Sequence, residues 1–229
     1  MFFPDRITRI QPSHRVLEIG PGADPHPRSD VLLEMAFDDP AEYEKQFGHH
    51  RPLQTEKQVL FYDGITFPFE DGAFDYVICS HVLEHVPDVE HFLSEVFRVS
   101  TRGYFEYPTV LYEYLYNFSV HLNFLRYNNG KLIHMKKSDS ALNDFRAVQA
   151  YFLRTLERDH TALIEAMPSH FIEGFQWESP FTFERTIAVT DLIDPALEPP
   201  QRGERPLHTY GPRRLLKELL RSIRQRGNR

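Results

Sequence analysis

The sequence predicts one α/β domain built on a mostly parallel sheet, with a helical insertion after the fifth strand and a basic C-terminal helix. Three observations predict this fold. Short, almost continuously apolar runs bounded by Gly, Pro and Asp recur through the first half of the chain. A stretch with helical apolar spacing lies between the fourth and fifth runs. Acidic or small residues follow several runs directly, which is typical of the ligand-binding edge of an open α/β sheet.

The strands of the sheet come in two groups. The first five are predicted at Arg15–Ile19, Val31–Glu34, Gln58–Tyr62, Asp75–Cys79 and Arg102–Tyr107. Apolar residues at helical spacing over 89–97 predict a helix that covers the sheet. Phe171–Trp177 and Phe181–Val189 then predict an antiparallel pair, which would complete a seven-stranded sheet.

The rest of the chain departs from this alternation. Residues 109–168 form the predicted insertion, aromatic-rich at first and then a long amphipathic helix. We therefore expect a domain over 1–194, a Pro-rich linker over 195–212 and a basic amphipathic helix over 213–229.

The composition fits a globular cytoplasmic protein, with 41% hydrophobic and 26% charged residues. No window approaches about 18 uninterrupted apolar residues, so no membrane-spanning helix is predicted. Cys79 is the single cysteine, which excludes an intramolecular disulfide and is typical of a reducing compartment.

The charge of the chain is divided unevenly. From Arg202 onward nine Lys and Arg accompany two Glu, a local charge of +7 in a chain whose net charge is −7. The remainder, at −14, would repel a phosphate backbone, so no nucleic-acid partner is expected. For the basic helix three interpretations stay open: a cap on the domain, a docking element for a protein partner, or peripheral attachment to an anionic membrane surface.

The strongest local signal is the strand that runs into Gly20-Pro21-Gly22. Its Glu18 is acidic, and the two glycines allow a ligand to lie against bare backbone. Pro25 stands where a dinucleotide-binding fingerprint has a third small residue, and Pro27 shortens any helix that would receive a pyrophosphate. A nicotinamide cofactor is therefore not expected.

Further polar residues end the next three strands. Glu34, followed by Met35, could accept hydrogen bonds from both hydroxyls of a ribose. Asp63, followed by Gly64, could accept one from an adenine amine, and Ser80-His81 follows the fourth strand. Because the carboxyl ends of parallel strands meet, these residues are expected at one edge.

These motifs resemble the class I S-adenosylmethionine-dependent methyltransferases, which have a seven-stranded Rossmann-like fold. The resemblance is carried by VLEIGPG (Val16–Gly22), Glu34, Asp63-Gly64 and FPFEDGAFDYVICSHVLEHV (Phe67–Val86). It implies S-adenosylmethionine as cofactor and S-adenosylhomocysteine as product. The implied cofactor-binding residues are Glu18, Gly20, Pro21, Gly22, Glu34, Met35, Asp63, Gly64, Ser80 and His81. Among them, Glu18 would lie near the cofactor's ammonium and His81 near the methyl group.

The acceptor is expected to be a small molecule or a glycan, methylated on a hydroxyl. Glu106, Tyr107 and Tyr112 are the predicted acceptor contacts, because they end the fifth strand or begin the aromatic insertion. His81 and His121 are the candidate catalytic residues. The alternative is a non-catalytic Rossmann-like binding module.

A remote alternative is a zinc peptidase. His81, Glu84 and His85 match the H-x-x-E-H pattern, which on a helix places both histidines on one face. The match is short and lies within the longer methyltransferase motif, so no metal is assigned.

Overall fold

The computed structural model describes residues 1–36, 53–158 and 161–197. Its strands are β1 (Val16–Ile19), β2 (Val31–Met35), β3 (Gln58–Tyr62), β4 (Tyr76–Ser80), β5 (Gly103–Pro108), β6 (Asn123–Asn128), β7 (Lys131–Lys136), β8 (Ile172–Trp177) and β9 (Thr182–Arg185). Its α-helices are α1 (Val89–Val99), α2 (Val110–Tyr116), α3 (Arg146–Leu156), α4 (Ala162–Ala166) and α5 (Pro168–Phe171).

The central sheet has the strand order β3-β2-β1-β4-β5-β8. The first five of these strands run parallel to their neighbours, and β8 pairs antiparallel with β5. All residues of β1 and β5 are buried, which confirms the expected two-sided burial for these strands. The prediction of an α/β fold with a mostly parallel sheet is thus confirmed.

Helix α1 covers one face of this sheet. The Asp88 carboxylate caps it by accepting a hydrogen bond from the His91 backbone N–H at 3.0 Å. Its buried residues Phe92, Leu93 and Val96 share one apolar cluster with the strand residues of β1 and β4.

The prediction of a seven-stranded sheet is wrong for the described residues, because β9 leaves the central sheet. Phe181 packs its ring 5.0 Å from that of Phe97 and 6.0 Å from that of Trp177, which turns the chain away from β8. Strand β9 then pairs parallel with β7 in a second, three-stranded sheet of order β6-β7-β9.

The prediction of a helical insertion is wrong in part, because the insertion contains the β6–β7 hairpin. Asn129 and Gly130 form its turn with φ of 49° and 80°, and two successive positive φ values are typical of a tight hairpin turn. The predicted long amphipathic helix is also interrupted: a 3-10 turn over Leu142–Phe145 precedes α3, and α4 is separate.

The basic helix predicted over 213–229 and most of the predicted linker lie outside the described residues. Within residues 1–36, 53–158 and 161–197, no helix has the length and apolar character needed to cross a membrane.

Candidate active site

The carboxyl ends of β1, β2, β4 and β5 meet at one edge of the sheet. Ile19 is in register with Leu33 on one side and Cys79 on the other, and Ser80 is in register with Glu106. The glycine turn after β1 therefore lies between the ends of β2 and β4. The structure brings together the strand-end residues that the sequence predicted to converge.

The glycine turn is hydrogen-bonded to β2 at Gly20 and leaves space beside Gly22. Gly20 and Gly22 both have φ of +61°, and the Gly20 N–H donates to the Leu33 carbonyl at 2.9 Å. A Cβ on Gly20 would overlap the Val82 side chain, whereas one on Gly22 would meet no atom of the described residues within 4 Å. Gly22 therefore offers free space against the backbone, as a bound ligand requires, while Pro21 is buried.

Glu18 is hydrogen-bonded to the loop that follows the glycine turn. Its buried Oε2 accepts hydrogen bonds from the Ser29 hydroxyl at 2.6 Å and the His26 N–H at 2.8 Å. Lys57 donates to the carbonyls of His26 and Pro27, so the loop is fixed from both sides. Burial raises the pKa of Glu18. This carboxylate stabilises the short loop that stands in place of a helix, a role the sequence reasoning did not foresee.

Glu34 is a buried carboxyl at the end of β2. Its Oε1 accepts a hydrogen bond from the Met35 N–H at 3.0 Å, and burial raises its pKa to about 7. Met35 is partly exposed, and its sulfur lies 3.4 Å from where a Cβ on Gly64 would stand. Glu34 thus lies beside β3, next to the strand whose end carries Asp63.

Asp63 is exposed at the end of β3. Its Oδ1 accepts hydrogen bonds from the backbone N–H groups of Thr66 and Ile65, which hold its pKa below the usual range. Gly64 follows with φ of +82°. The carboxylate is ionised and fixed in a turn, which suits an acceptor for an amine.

His81 is the first residue after β4 and lies between two carboxylates. Its φ is +58°, its Nδ1 lies 3.3 Å from Glu84 Oε1, and its Nε2 lies 3.2 Å from Glu106 Oε1. Burial acts to lower its pKa, but the two carboxylates outweigh it and raise the pKa to about 9. A protonated imidazole cannot accept a proton, so these contacts leave His81, which was predicted to be catalytic, unsuited to act as a base.

Glu106 is fully buried, with its oxygens occupied by neighbours. It accepts from the N–H groups of Phe2 and Phe3 at 2.6 and 2.9 Å, from the Ser80 hydroxyl at 2.9 Å and from the Tyr104 hydroxyl at 2.8 Å. Burial opposes its ionisation, yet the contacts with His81, Phe2 and Tyr104 lower its pKa to about 2. Glu106 thus binds the N-terminal residues Phe2 and Phe3 at the edge of the sheet. The prediction that Glu106 contacts the methyl acceptor does not fit this geometry.

The two predicted acceptor tyrosines also lie inside the molecule. Tyr107 is fully buried and its hydroxyl donates to Glu173 at 2.9 Å. Tyr112 packs edge-on to Tyr116 and Phe118, with ring centroids 5.0 and 5.1 Å away. Both positions are core packing positions, and the prediction of acceptor contacts there does not fit the structure.

Residues 81–86 form a turn and not a helix. The helical placement that would put His81 and His85 on one face is therefore wrong, and with it the geometric basis of the zinc peptidase alternative. His85 instead turns toward the insertion, where its ring meets that of His121 edge-on at 4.6 Å.

His121 is held by a buried acid that the sequence reasoning missed. Its Nδ1 contacts the carboxylate of Glu113, and the other oxygen of Glu113 accepts from Lys137 Nζ at 2.7 Å. Glu113 and His121 are eight residues apart, on α2 and the loop after it, and no sequence pattern marks the pair.

A cavity of about 700 Å³ opens beside His121, between the end of α2, the hairpin and the start of α3. Its walls combine polar, basic and apolar groups. They are formed by Pro87, Tyr116, Asn117, Ser119, His121, Leu122, Lys136, Lys137, Ser138, Asn143, Arg146, Gln149, Ala150 and Leu153. Of these residues, only His121 was predicted to be functional.

Comparison with known proteins places a family motif on this edge. Residues 36–105 match the profile of a family described as "Methyltransferase domain". This match covers the segment from the end of β2 to β5, which includes Asp63, Ser80 and His81. The resemblance seen in the sequence is thereby confirmed.

Individual relatives match only part of the chain. Ajmaline N-methyltransferase from Rauvolfia serpentina is 44% identical over 41 residues, which are 18% of this chain and 14% of that protein. The chain thus spans a small part of this curated relative. Two solved structures are similar: the YcgJ protein from Bacillus subtilis, with 23% identity over 45% of this chain and 50% of that one and a TM-score of 0.32, and a SAM-dependent methyltransferase from Methanosarcina mazei, with 18% identity over 52% and 68% and a TM-score of 0.32.

Proposed function

We propose that this chain, which carries a methyltransferase domain of the class I, S-adenosylmethionine-dependent type, transfers the methyl group of S-adenosylmethionine to a small-molecule acceptor. The observation that carries the proposal is the juxtaposition of the open glycine turn with Glu34 and Asp63 at one sheet edge. These residues belong to motifs that this family uses.

The residues present fit S-adenosylmethionine. The space above Gly22 would accommodate the methionine part, Glu34 would accept hydrogen bonds from the ribose hydroxyls, and Asp63 would accept one from the adenine amine. The cofactor has no phosphate, which agrees with the proline-rich loop after Gly22 in place of a phosphate-binding helix. Bound there, it supplies a methyl group on a cationic sulfonium.

The chain's own contribution is to hold the acceptor in line with that methyl group and to exclude water. His81 keeps its proton between Glu84 and Glu106 at neutral pH and serves as a fixed wall of the site. Phe2 lies against it, with ring centroids 5.4 Å apart, and shields this side from solvent. Both residues therefore favour an enclosed transfer site.

The cavity beside His121 is the proposed acceptor site. Its largely apolar walls carry a few polar groups, including Asn117, Asn143 and Arg146, which suits a hydroxyl-bearing small molecule or a short glycan. Ajmaline N-methyltransferase supports a small molecule as the acceptor class. A hydroxyl is the proposed methylated group.

A screen for acceptor-dependent formation of S-adenosylhomocysteine tests the proposal, using libraries of polar small molecules and oligosaccharides. Ala150→Trp, which fills the cavity, should abolish turnover of any acceptor found while leaving cofactor affinity unchanged. Ala147→Trp is the matched control on the same helix, because Ala147 is exposed and is not among the residues that line the cavity. Equal turnover by both variants would show that the acceptor binds elsewhere.

A further inference from the structure

Glu84 is a buried carboxylate without hydrogen-bond partners in the described part of the chain. Its side chain is fully buried, and neither oxygen is hydrogen-bonded. The nearest charged groups face Oε1: His81 Nδ1 at 3.3 Å and His85 Nε2 at 3.9 Å. The ion pair with His81 at this distance leaves Glu84 able to bind a further ligand, and buried carboxylates normally have such partners.

Two histidines present their free nitrogens beside it. His85 Nδ1 lies 3.2 Å from the Val120 carbonyl oxygen, which leaves Nε2 for a further ligand. His121 Nδ1 contacts the Glu113 carboxylate, which likewise leaves Nε2. Histidines that bind metals are typically oriented in this way, with the second ring nitrogen on a carbonyl or a carboxylate.

The three side chains meet in one place. One ligand atom from each of Glu84, His85 and His121 lies within 4.8 Å of the others, and the two imidazole rings are perpendicular at 89°. Ligand atoms around a zinc ion stand about 2.0 Å from the metal, so modest side-chain rotation closes the site. The donor set of one carboxylate and two imidazoles is the one that catalytic zinc sites use.

We propose that Glu84, His85 and His121 bind a Zn²⁺ ion at the wall of the acceptor cavity. Glu84 provides Oε2, which leaves its Oε1 in contact with His81, and Glu113 fixes the ring of His121 from behind. Two of the ligands, Glu84 and His85, are thus the last two residues of the H-x-x-E-H pattern, and the third ligand, His121, comes from the insertion. His81 is not a ligand, because Glu106 holds its Nε2 side.

The position of this ion gives it a chemical role, and this step rests on the proposed function. Three protein ligands leave a coordination position open, and His121 lines the acceptor cavity. A hydroxyl bound at the open position loses its proton to solvent more readily, because the cation stabilises the alkoxide.

Titration calorimetry of ZnCl₂ into chelator-treated full-length protein tests the site without any cofactor or acceptor. The wild type should bind one Zn²⁺ with micromolar or tighter affinity. Glu84→Gln and His121→Gln should each weaken binding by about 100-fold or more, and Glu113→Gln by about 10-fold, because Glu113 only orients a ligand. His134→Gln is the matched control: His134 is also buried, in β7, but it faces Glu90 at 3.5 Å, and its loss should leave the affinity unchanged.

Replacement of zinc by Co²⁺ gives a second readout that needs no variant. The wild type should develop the visible absorption of a four- or five-coordinate Co²⁺ ion with nitrogen and oxygen ligands. Absence of zinc uptake or of this spectrum in the folded wild type would overturn the proposal. Unchanged zinc affinity in both Glu84→Gln and His121→Gln would overturn it as well. Neither result bears on binding of S-adenosylhomocysteine, so failure of the metal site and failure of the methyltransferase proposal are distinguishable.

Discussion

The two halves of the sheet's carboxyl edge use their carboxylates in opposite ways. On the β1–β3 side, Glu18 is bonded to the loop after the glycine turn, but Glu34 accepts a single hydrogen bond, from the Met35 N–H, and Asp63 is exposed at the end of β3. On the β4–β5 side, Glu106 accepts from four protein donors and lies fully buried. The ends of β2 and β3 therefore leave carboxylates available to the proposed ligand, whereas the end of β5 is closed by the protein itself.

This difference teaches that an acid at a strand end is not by itself a binding residue. The number of its protein partners decides, since a carboxylate that already accepts four hydrogen bonds has little capacity left for a ligand. By the same criterion Glu84, which is buried and accepts no hydrogen bond from the described residues, has the most capacity left for a ligand. Four predictions test this contrast between the acids.

The largest effect is expected at Glu106. Glu106→Gln removes the negative charge that His81 and four donors share, and losing one partner of a buried ion pair typically destabilises by about 3–5 kcal/mol. Urea unfolding at pH 7 measures the change in the free energy of unfolding. Glu178→Gln is the control, because its ion pair with Arg9 is largely exposed and worth at most about 1 kcal/mol. Equal losses of unfolding free energy in Glu106→Gln and Glu178→Gln would show that Glu106 is no more important to stability than an exposed acid.

The same variant has a pH signature. The pKa of Glu106 is lowered to about 2 in the folded state, so its contribution is complete above its ordinary value of 4.5 and is lost as the pH falls toward 2. The difference in the free energy of unfolding between wild type and Glu106→Gln should therefore decrease as the pH falls from 4.5 toward 2. A gap that does not change with pH would contradict the assignment of an ionised, stabilising Glu106.

A smaller effect is expected at Glu34. Burial raises its pKa to about 7, and the ionised form is the better acceptor for ribose hydroxyls. Affinity for S-adenosylhomocysteine should thus weaken as the pH falls from 8 to 6, approaching tenfold per unit below the pKa. Glu34→Gln should bind more weakly at pH 8 and show no such dependence, as measured by calorimetry. A pH-independent wild type would mean that Glu34 does not contact the cofactor.

The smallest effect separates two glycines that share one backbone conformation. Gly22 and Gly72 have φ of +61° and +66°, and within the part of the chain that the structure describes a Cβ on either meets nothing within 4 Å. Alanine at either position should reduce stability by about 1 kcal/mol, because positive φ is strained for residues with a Cβ. Only Gly22→Ala should also reduce affinity for S-adenosylhomocysteine. Equal affinities of Gly22→Ala and Gly72→Ala for S-adenosylhomocysteine would show that the space beside Gly22 does not hold the ligand.

The sequence predicted the sheet edge well because that edge depends on local patterns. Apolar runs located all five parallel strands, and the residues that follow them necessarily share an edge. The hairpin in the insertion was also readable from Asn129-Gly130, the strongest short turn signal, but the aromatic and helical pattern around it hid this signal.

What could not be predicted depends on contacts between distant residues. Nothing local indicates that Glu106 meets the backbone of Phe2 and Phe3, more than 100 positions away. Nor does any motif pair His85 with His121, since their approach requires the fold of the insertion. The number of hydrogen-bond partners that a buried acid has therefore depends on the tertiary structure and cannot be predicted from local sequence.

Calorimetric titration of S-adenosylhomocysteine into the wild type and Asp63→Ala is the decisive test of the proposed cofactor site. We expect micromolar binding that weakens about tenfold or more in the variant, because Asp63 is exposed and ionised and is the proposed acceptor for the adenine amine. Asp71→Ala, which alters another exposed acid, should leave the affinity unchanged. No binding to the folded wild type would contradict the assignment of the β1–β3 edge as a cofactor site.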